Sequence, residues 1–212
     1  MLYLILGFLI TSVLAFHMPR VFSKIDKDFA FISIGLLPLY INLPALVILC
    51  TDKSNTWPAI FIMLSVAIEY SAALMDHKYT SVFDIIHIFA FISVIPVFII
   101  YGKFPYEALF IVLLSILLGF GYGISDIFAF SLMGFLVEAW MLILNLNISV
   151  YSVVFNSTVI MALTCLVFTI VQIFKRNITL KGKTKKKTAF IPYIFAITCL
   201  IPALAKVSLL LN

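Results

Sequence analysis

Charged residues are scarce in this 212-residue sequence. Only 11% of the residues are charged, whereas 64% are hydrophobic, against about 25% and about 45–50% in typical soluble domains. Together with a mean hydropathy of +1.22, this composition excludes a water-soluble enzyme, a disordered chain and a nucleic-acid-binding domain. We predict an all-α polytopic membrane protein, because a helix of about 20 apolar residues is long enough to cross a bilayer.

Cysteine is also rare, and a cleavable leader is not evident. The three cysteines, Cys50, Cys165 and Cys199, are far apart and lie in apolar runs. Without a CxxC pair, neither a zinc knuckle nor a disulfide framework is expected. The first 16 residues are apolar but lack a preceding basic region and an A-x-A site. They therefore indicate a retained first helix rather than a cleaved signal peptide.

Apolar runs fill the whole chain, which predicts a single membrane domain over residues 1–212. Eight transmembrane helices are predicted near residues 1–17, 29–50, 57–75, 82–101, 105–120, 127–147, 150–174 and 189–211. Cytoplasmic loops are rich in Lys and Arg. With the N-terminus outside, eleven basic residues face inwards and three outwards. We therefore expect a multi-pass protein of the cell membrane with both termini outside.

A basic loop precedes the last predicted helix. Seven of the 14 basic residues lie between Lys175 and Lys187, beside a membrane segment. Juxtamembrane clusters of this kind bind anionic lipid. We therefore expect the loop to contact membrane lipid, with no direct role in nucleic-acid binding.

Two aspartates are predicted at one face of the membrane. Asp76 closes the third predicted helix and Asp126 opens the sixth, so two complete spans return the chain to the same side. Inserting a carboxylate at the centre of a membrane helix costs about 2.5–3.5 kcal/mol. Each acidic residue in an apolar run therefore requires a structural or functional explanation. Structural alternatives remain open: Asp126 or Ser125 could cap the sixth helix, and Asp76 could begin a solvated loop.

Three further acidic residues lie in or beside the apolar runs. Ser81 and Asp84 form an S-x-x-D sequence, which predicts a capping box at the start of the fourth helix. Glu69 lies seven residues before Asp76, about two turns along the same helix, and could line the same cavity. Glu138 lies deeper in the sixth helix, and the sequence names no partner for it.

Two other chemistries are compatible with this region. Asp84 and His87 share a helix face and could bind a metal with Asp76 or His77. The triplet 123–125 has the G-x-S form of a serine nucleophile, with His87 as a possible base. Neither arrangement has a characteristic spacing in this sequence.

The segment that starts at Asp76 resembles the first signature of type IV prepilin peptidases, which are membrane aspartyl proteases of the GxGD class. That signature has an Asp, a basic residue two places later, and an I-P-D/N triplet that ends eight places after the Asp. Asp76, Lys78 and Asp84 match these positions. Phe83 stands where the family has proline.

The segment around Asp126 resembles the second signature, G-x-G-D with a glycine eight places later. Gly123, Asp126 and Gly134 match, whereas Ser125 replaces the second glycine and Phe128 replaces a lysine of the family. A third segment, Phe190-Ile191-Pro192-Tyr193, is similar to the family's last I-P-F sequence.

The resemblance covers a peptidase-like core over residues 57–212, and residues 1–56 are divergent. Full-length members of the family carry a cytosolic insert with paired CxxC motifs that is linked to N-methylation of the product. This sequence has no such motif, so methyltransferase activity is not implied. The reduced size is similar to that of the short competence-type peptidases, whose substrates are pseudopilins of the DNA-uptake apparatus.

The resemblance implies catalytic roles for Asp76 and Asp126. The implied supporting positions are Lys78, Asp84, Gly123, Ser125, Gly134 and Pro192. In an aspartyl protease two carboxyl groups share one proton and hold a water, so we expect no metal or other cofactor. Helix dipoles favour negative charge at an N-terminus, which makes Asp126 the expected resting base and Asp76 the resting acid.

The implied substrate is a prepilin-like protein with a short basic leader, a glycine at the cut and then an apolar helix. The implied site faces the cytoplasm. A small ion-coupled transporter, in which the buried acids relay protons, is a different expectation from the same residues. A non-catalytic pilus-assembly partner is a third, because Phe83, Ser125 and Phe128 depart from the family pattern. The oligomeric state does not follow from the sequence.

Overall fold

The computed structural model of the protein is helical throughout its described part. It describes ten positions between residues 5 and 24, and residues 56–79, 82–118, 124–174, 191–194, 197 and 198. The side chains of seven residues inside these ranges, including His77, Lys78 and Ser125, lie outside the description. The described ranges contain no strand. The all-α prediction is therefore confirmed for this part of the chain.

Five long helices follow one another along the chain. They are α1 (Thr56–Tyr79), α2 (Asp84–Ile100), α3 (Tyr106–Leu118), α4 (Ile124–Ile143) and α5 (Val150–Phe174). They correspond to the third to seventh predicted spans, and the largest differences are four residues. Those differences are at the ends of α1, 79 against 75, and of α4, 143 against 147.

The remaining three predicted spans are described in part or not at all. The span predicted at 29–50 lies outside the described residues. The described positions between residues 5 and 24 are helical, and so are residues 191–194, 197 and 198. These last residues fall inside the span predicted at 189–211.

Two of the helices end in the same backbone motif. Gly102 follows α2 with φ +59°, and Asn145 follows α4 with φ +53°. After α2, the Lys103 amide donates to the Phe98 carbonyl at 3.0 Å and the Gly102 amide to Ile99 at 3.1 Å. This pair of bonds is the Schellman motif, which requires a left-handed residue that glycine and asparagine adopt most readily. The motif stops α2 and fixes where Lys103 leaves it.

Contacts between residues of neighbouring helices show the relative directions of those helices. Ser65 of α1 donates to the Ala90 carbonyl of α2 at 2.8 Å, and Glu69 contacts His87. Because numbers rise along α1 as they fall along α2, these two helices are antiparallel. The pairing of Ala108 with Glu138 and of Ile111 with Gly134 makes α3 and α4 antiparallel in the same way.

Helices α2 and α4 run in the same direction. The His87 ring stacks on Phe128 with centroids 6.1 Å apart, and further along both helices Phe98 contacts Phe135 edge-on at 5.9 Å. The end of α1 and the starts of α2 and α4 therefore lie together, at what we call the aspartate end. The end of α4 and the start of α3 lie at the opposite end, which we call the glutamate end.

The helices differ in how much apolar surface they bury. In α4, 83% of the segment from Asp126 to Ile143 is buried, whereas only 22% of α5 is buried. By length and composition these are the two described helices that could cross a membrane. The outer surface of α5 exposes large apolar side chains, such as Phe155 and Leu166. An apolar helix that leaves one face uncovered requires a partner or lipid on that face.

Candidate active site

Asp76 lies in the last turn of α1 and is 8% exposed. Its Oδ2 accepts a hydrogen bond from the Ile191 amide at 2.9 Å, across 115 residues of sequence. Residues 191–194 are helical. The Asp76 carboxylate therefore bonds a backbone amide of this helical segment. Pro192 follows Ile191 directly in the sequence.

This contact joins two segments that the sequence analysis identified separately. The first began at Asp76, and the third contained Ile191 and Pro192. The suggestion that Asp76 begins a solvated loop is wrong, because α1 continues to Tyr79 and the Asp76 side chain is buried. Lys78 also lies in this last turn, and its side chain is outside the described part.

Asp126 is the third residue of α4 and is partly buried. The helix begins at Ile124, earlier than predicted, so neither Ser125 nor Asp126 is its N-cap. An acidic residue in the first turn still interacts favourably with the helix dipole. Gly123 lies outside the described residues, as does the side chain of Ser125.

The predicted capping box at Ser81 and Asp84 is wrong. Helix α2 begins at Asp84, and Phe83 occupies the N-cap position with no side-chain hydrogen bond. Asp84 is therefore the first residue of the helix rather than the third, and it cannot close a capping box. Its charge remains favourable at a helix N-terminus.

A buried ion pair lies between α1 and α2 at the aspartate end. His87 is fully buried, and its Nδ1 is 2.9 Å from Oε2 of Glu69, which is 5% exposed. The carboxyl groups of Asp84 and Asp126 also act electrostatically on the imidazole. His87 thus links α1, α2 and the first turn of α4, through a contact that no spacing in the sequence predicts.

Glu69 also lies on the wall of a small cavity. The cavity measures about 20 Å³ and is lined by side chains of α1 and α4 together with Ile194 and Thr198. Its lining is apolar except for Glu69 and Thr198, and the Thr198 hydroxyl donates to the Ile194 carbonyl at 2.7 Å. A volume of this size holds about one water.

Gly134 of α4 lies directly against Ile111 of α3. A Cβ atom at this position would lie 2.7 Å from both Cβ and Cγ2 of Ile111. Contacts this short do not occur between real side chains, so the backbone spacing requires glycine here. Small residues allow such close helix contacts in membranes. The glycine that fits the second signature thus has a packing role.

Sequence reasoning missed a second group of charged residues, at the glutamate end. Glu107, near the start of the fifth predicted span, has a side chain that is only 14% exposed and lies 3.5 Å from Lys103. Glu138 is fully buried and accepts a hydrogen bond from the Ala108 amide at 2.7 Å. The i,i+4 spacing of Lys103 and Glu107 was the available sequence signal.

Removing one member of the Glu69–His87 pair is expected to destabilise the protein. Glu69→Leu should lower the free energy of unfolding by about 1–3 kcal/mol, because it leaves a buried imidazole without its partner. The double variant Glu69→Leu/His87→Phe should lose less than the sum of the two single variants. Unfolding of the purified protein in mixed micelles, at increasing denaturing detergent, measures these differences.

Ser93→Ala is the matched control for this pair, because the Ser93 hydroxyl bonds only the Phe89 carbonyl of its own helix. It should leave the unfolding curve nearly unchanged. Strictly additive losses in the Glu69 and His87 variants would show that the two side chains are not coupled.

The aspartate end brings together the chemistry of an acid-base site. Asp76, Asp84 and Asp126 are at helix termini there, beside the buried Glu69–His87 pair. In the described part of the chain, no group of three His, Cys, Asp or Glu side chains has an arrangement that could hold a metal ion. Comparisons of the chain with protein-family models, curated proteins and solved structures find no match.

Proposed function

We propose that this chain is a membrane aspartyl endopeptidase that removes the leader of prepilin-like substrates. The observation that carries the proposal is the common position of Asp76 and Asp126. Asp76 is in the last turn of α1 and Asp126 in the first turn of α4, and both turns are at the aspartate end. A pair of acidic groups at one end of a helical bundle is what this chemistry requires.

In the proposed reaction, Asp76 and Asp126 share one proton and hold a water between them. The ionised carboxylate removes a proton from the water, and the protonated carboxyl donates its proton to the scissile carbonyl. We assign the base to Asp126, because the helix dipole favours negative charge in the first turn of α4. The bond from the Ile191 amide fixes the orientation of the Asp76 carboxyl group.

The proposed membrane arrangement has eight spans, both termini outside and the aspartate end facing the cytoplasm. The excess of basic residues in the loops predicted to face inwards supports this orientation. The apolar outer surface of α5 supports contact with lipid. A leader that is cut at the inner membrane boundary then reaches the site without entering the hydrocarbon. The substrates that we propose are pseudopilins of a DNA-uptake or type IV pilus apparatus.

A small ion-coupled transporter is the second candidate. The observation in its favour is the buried carboxyl group of Glu138, which lies at the opposite end of the bundle from Asp126. In a proton-coupled transporter, buried acidic groups at different depths relay protons. However, Glu138 already satisfies the Ala108 amide at the start of α3, which gives it a structural reason to be there.

Co-expression with a pseudopilin tests the proposed function directly. The substrate should carry a short basic leader, a glycine and then an apolar helix, with a tag at its C-terminus. We expect a smaller product on a gel when the chain is present, and full-length substrate when it is replaced by Asp76→Asn/Asp126→Asn. Mass spectrometry of the product should place the cut at the glycine. Full-length substrate in both strains contradicts the peptidase proposal.

A further inference from the structure

The glutamate end contains a buried carboxyl group that bonds to the start of a helix. Glu138 lies on α4, five residues before the helix ends at Ile143, and is fully buried. Its Oε2 accepts the Ala108 amide at 2.7 Å. Ala108 is in the first turn of α3, where amides lack partners within the helix. This contact attaches the beginning of α3 to the side of α4.

Glu107 and Lys103 lie beside this carboxyl group. The Lys103 Nζ is 3.5 Å from Glu107 Oε1 and 4.0 Å from Glu138 Oε1. The Lys103 side chain is 30% exposed and that of Glu107 is 14% exposed. In the described part of the chain, Glu107 and Lys103 are the titratable groups that act on Glu138. One ammonium group therefore faces two carboxyl groups.

Two oxygen atoms of this cluster have no hydrogen-bond donor. Glu107 Oε2 and Glu138 Oε1 are both buried and unpaired among the described residues. The two carboxyl groups are neighbours, because the Lys103 ammonium lies within 4.0 Å of an oxygen of each of them. Two adjacent buried carboxylates would repel each other, and their unpaired oxygens would have lost their bonds to water. A proton is the smallest ligand that satisfies both oxygens.

We propose that Glu107 and Glu138 form a proton-binding site. One proton from solvent lies between Glu107 Oε2 and Glu138 Oε1, so that the pair carries a single negative charge. Lys103 and the N-terminal dipole of α3 balance that charge. A metal cation is disfavoured, because the Lys103 ammonium already balances one carboxylate charge of the pair.

This site is independent of the proposed peptidase activity, which uses the other end of the bundle. Binding of the proton affects how the start of α3 packs against α4. With the proton bound, Glu138 holds the start of α3 against α4. When the proton is lost, the two carboxylates repel each other and weaken that attachment.

Infrared spectroscopy of the full chain in lipid nanodiscs tests the proposal. The chain has only three glutamates, Glu69, Glu107 and Glu138. Labelling glutamate with ¹³C therefore separates its carboxyl bands from those of all aspartates, including Asp76 and Asp126. We expect the carbonyl band of one protonated glutamic acid at neutral pH, and its loss as the pH rises.

Three single substitutions assign the band. Glu107→Gln and Glu138→Gln should each abolish it, because the new amide donates to the remaining carboxylate in place of the proton. Glu69→Gln is the matched control and should retain it. In Lys103→Met the pH at which the band disappears should rise by about one unit, because the opposing positive charge is lost.

Thermal unfolding at different pH values provides a readout that needs no spectral assignment. Glutamates of the unfolded chain ionise at about pH 4.3. Above that pH the folded chain binds one more proton than the unfolded chain. The unfolding equilibrium constant should therefore rise up to about tenfold per pH unit above that value, until the band has disappeared. In Glu107→Gln this dependence should be weaker.

Two results would overturn the proposal. One is the absence of a protonated glutamate band in the wild-type chain at neutral and mildly acidic pH. The other is a band that survives both Glu107→Gln and Glu138→Gln. Neither result bears on leader cleavage, which is scored separately with the pseudopilin substrate.

Discussion

Asp76→Asn and Asp126→Asn should each slow leader cleavage by at least about 100-fold, the usual contribution of a single acid-base group. Asparagine has nearly the shape of aspartate but can neither take a proton from water nor give one to a carbonyl. The single-turnover rate in lipid nanodiscs, measured on the tagged pseudopilin substrate, provides the comparison with the wild-type chain.

The Asp76 variants also separate catalysis from folding. The amide oxygen of Asp76→Asn can still accept the Ile191 amide, whereas Asp76→Ala loses this bond and should unfold at lower temperature. Asp28→Asn, between the first two predicted spans, is the matched control and should cleave at the wild-type rate. Near-normal cleavage by either Asp76→Asn or Asp126→Asn removes that residue from the mechanism.

Gly134→Leu should prevent α3 and α4 from packing, and Gly134→Ala should lower the free energy of unfolding by about 1–3 kcal/mol. In an isolated helix, alanine in place of glycine stabilises by about 1 kcal/mol. Here the 2.7 Å approach to Ile111 reverses the sign, because the two backbones must move apart. Detergent-induced unfolding of the purified variants measures both effects.

A second substitution shows whether the backbone spacing is the cause. Ile111→Ala should not rescue Gly134→Ala, because the Ile111 Cβ atom, itself 2.7 Å away, remains in place. Ala162→Leu introduces the same side chain as Gly134→Leu, but on the exposed face of α5, and should have little effect. If Gly134→Ala unfolds like the wild type but cleaves slowly, Gly134 acts on the substrate rather than in packing.

The positions of Asp76 and Asp126 are an example of what can be predicted from the sequence. Counting membrane crossings predicted a common face for them, and the structure has them at one end of the bundle. This part of the site was accessible because it depends only on the number and order of apolar runs. The capping motifs were predicted wrongly, because α2 begins three residues after Ser81 and α4 begins at Ile124.

The partners of the buried polar groups were not accessible from the sequence. Asp76 bonds to an amide 115 residues away, and Glu138 bonds to the amide of Ala108 on another helix. Which amide a carboxylate meets depends on the rotation of each helix and on the spacing between helices. In chains that are apolar on all sides, hydrophobic periodicity does not mark the packed face.

The sequence by itself determined the apolar character of the chain, five of its helices and the chain order of its acidic residues. Those properties follow from local composition, since a helix satisfies the backbone hydrogen bonds of a long apolar run within the run itself. Only the tertiary structure decided that Glu69 pairs with His87, that Lys103 faces both Glu107 and Glu138, and that the spacing of α3 and α4 requires Gly134. These pairings arise where helices distant in sequence meet, because a buried polar atom must find its hydrogen bond there.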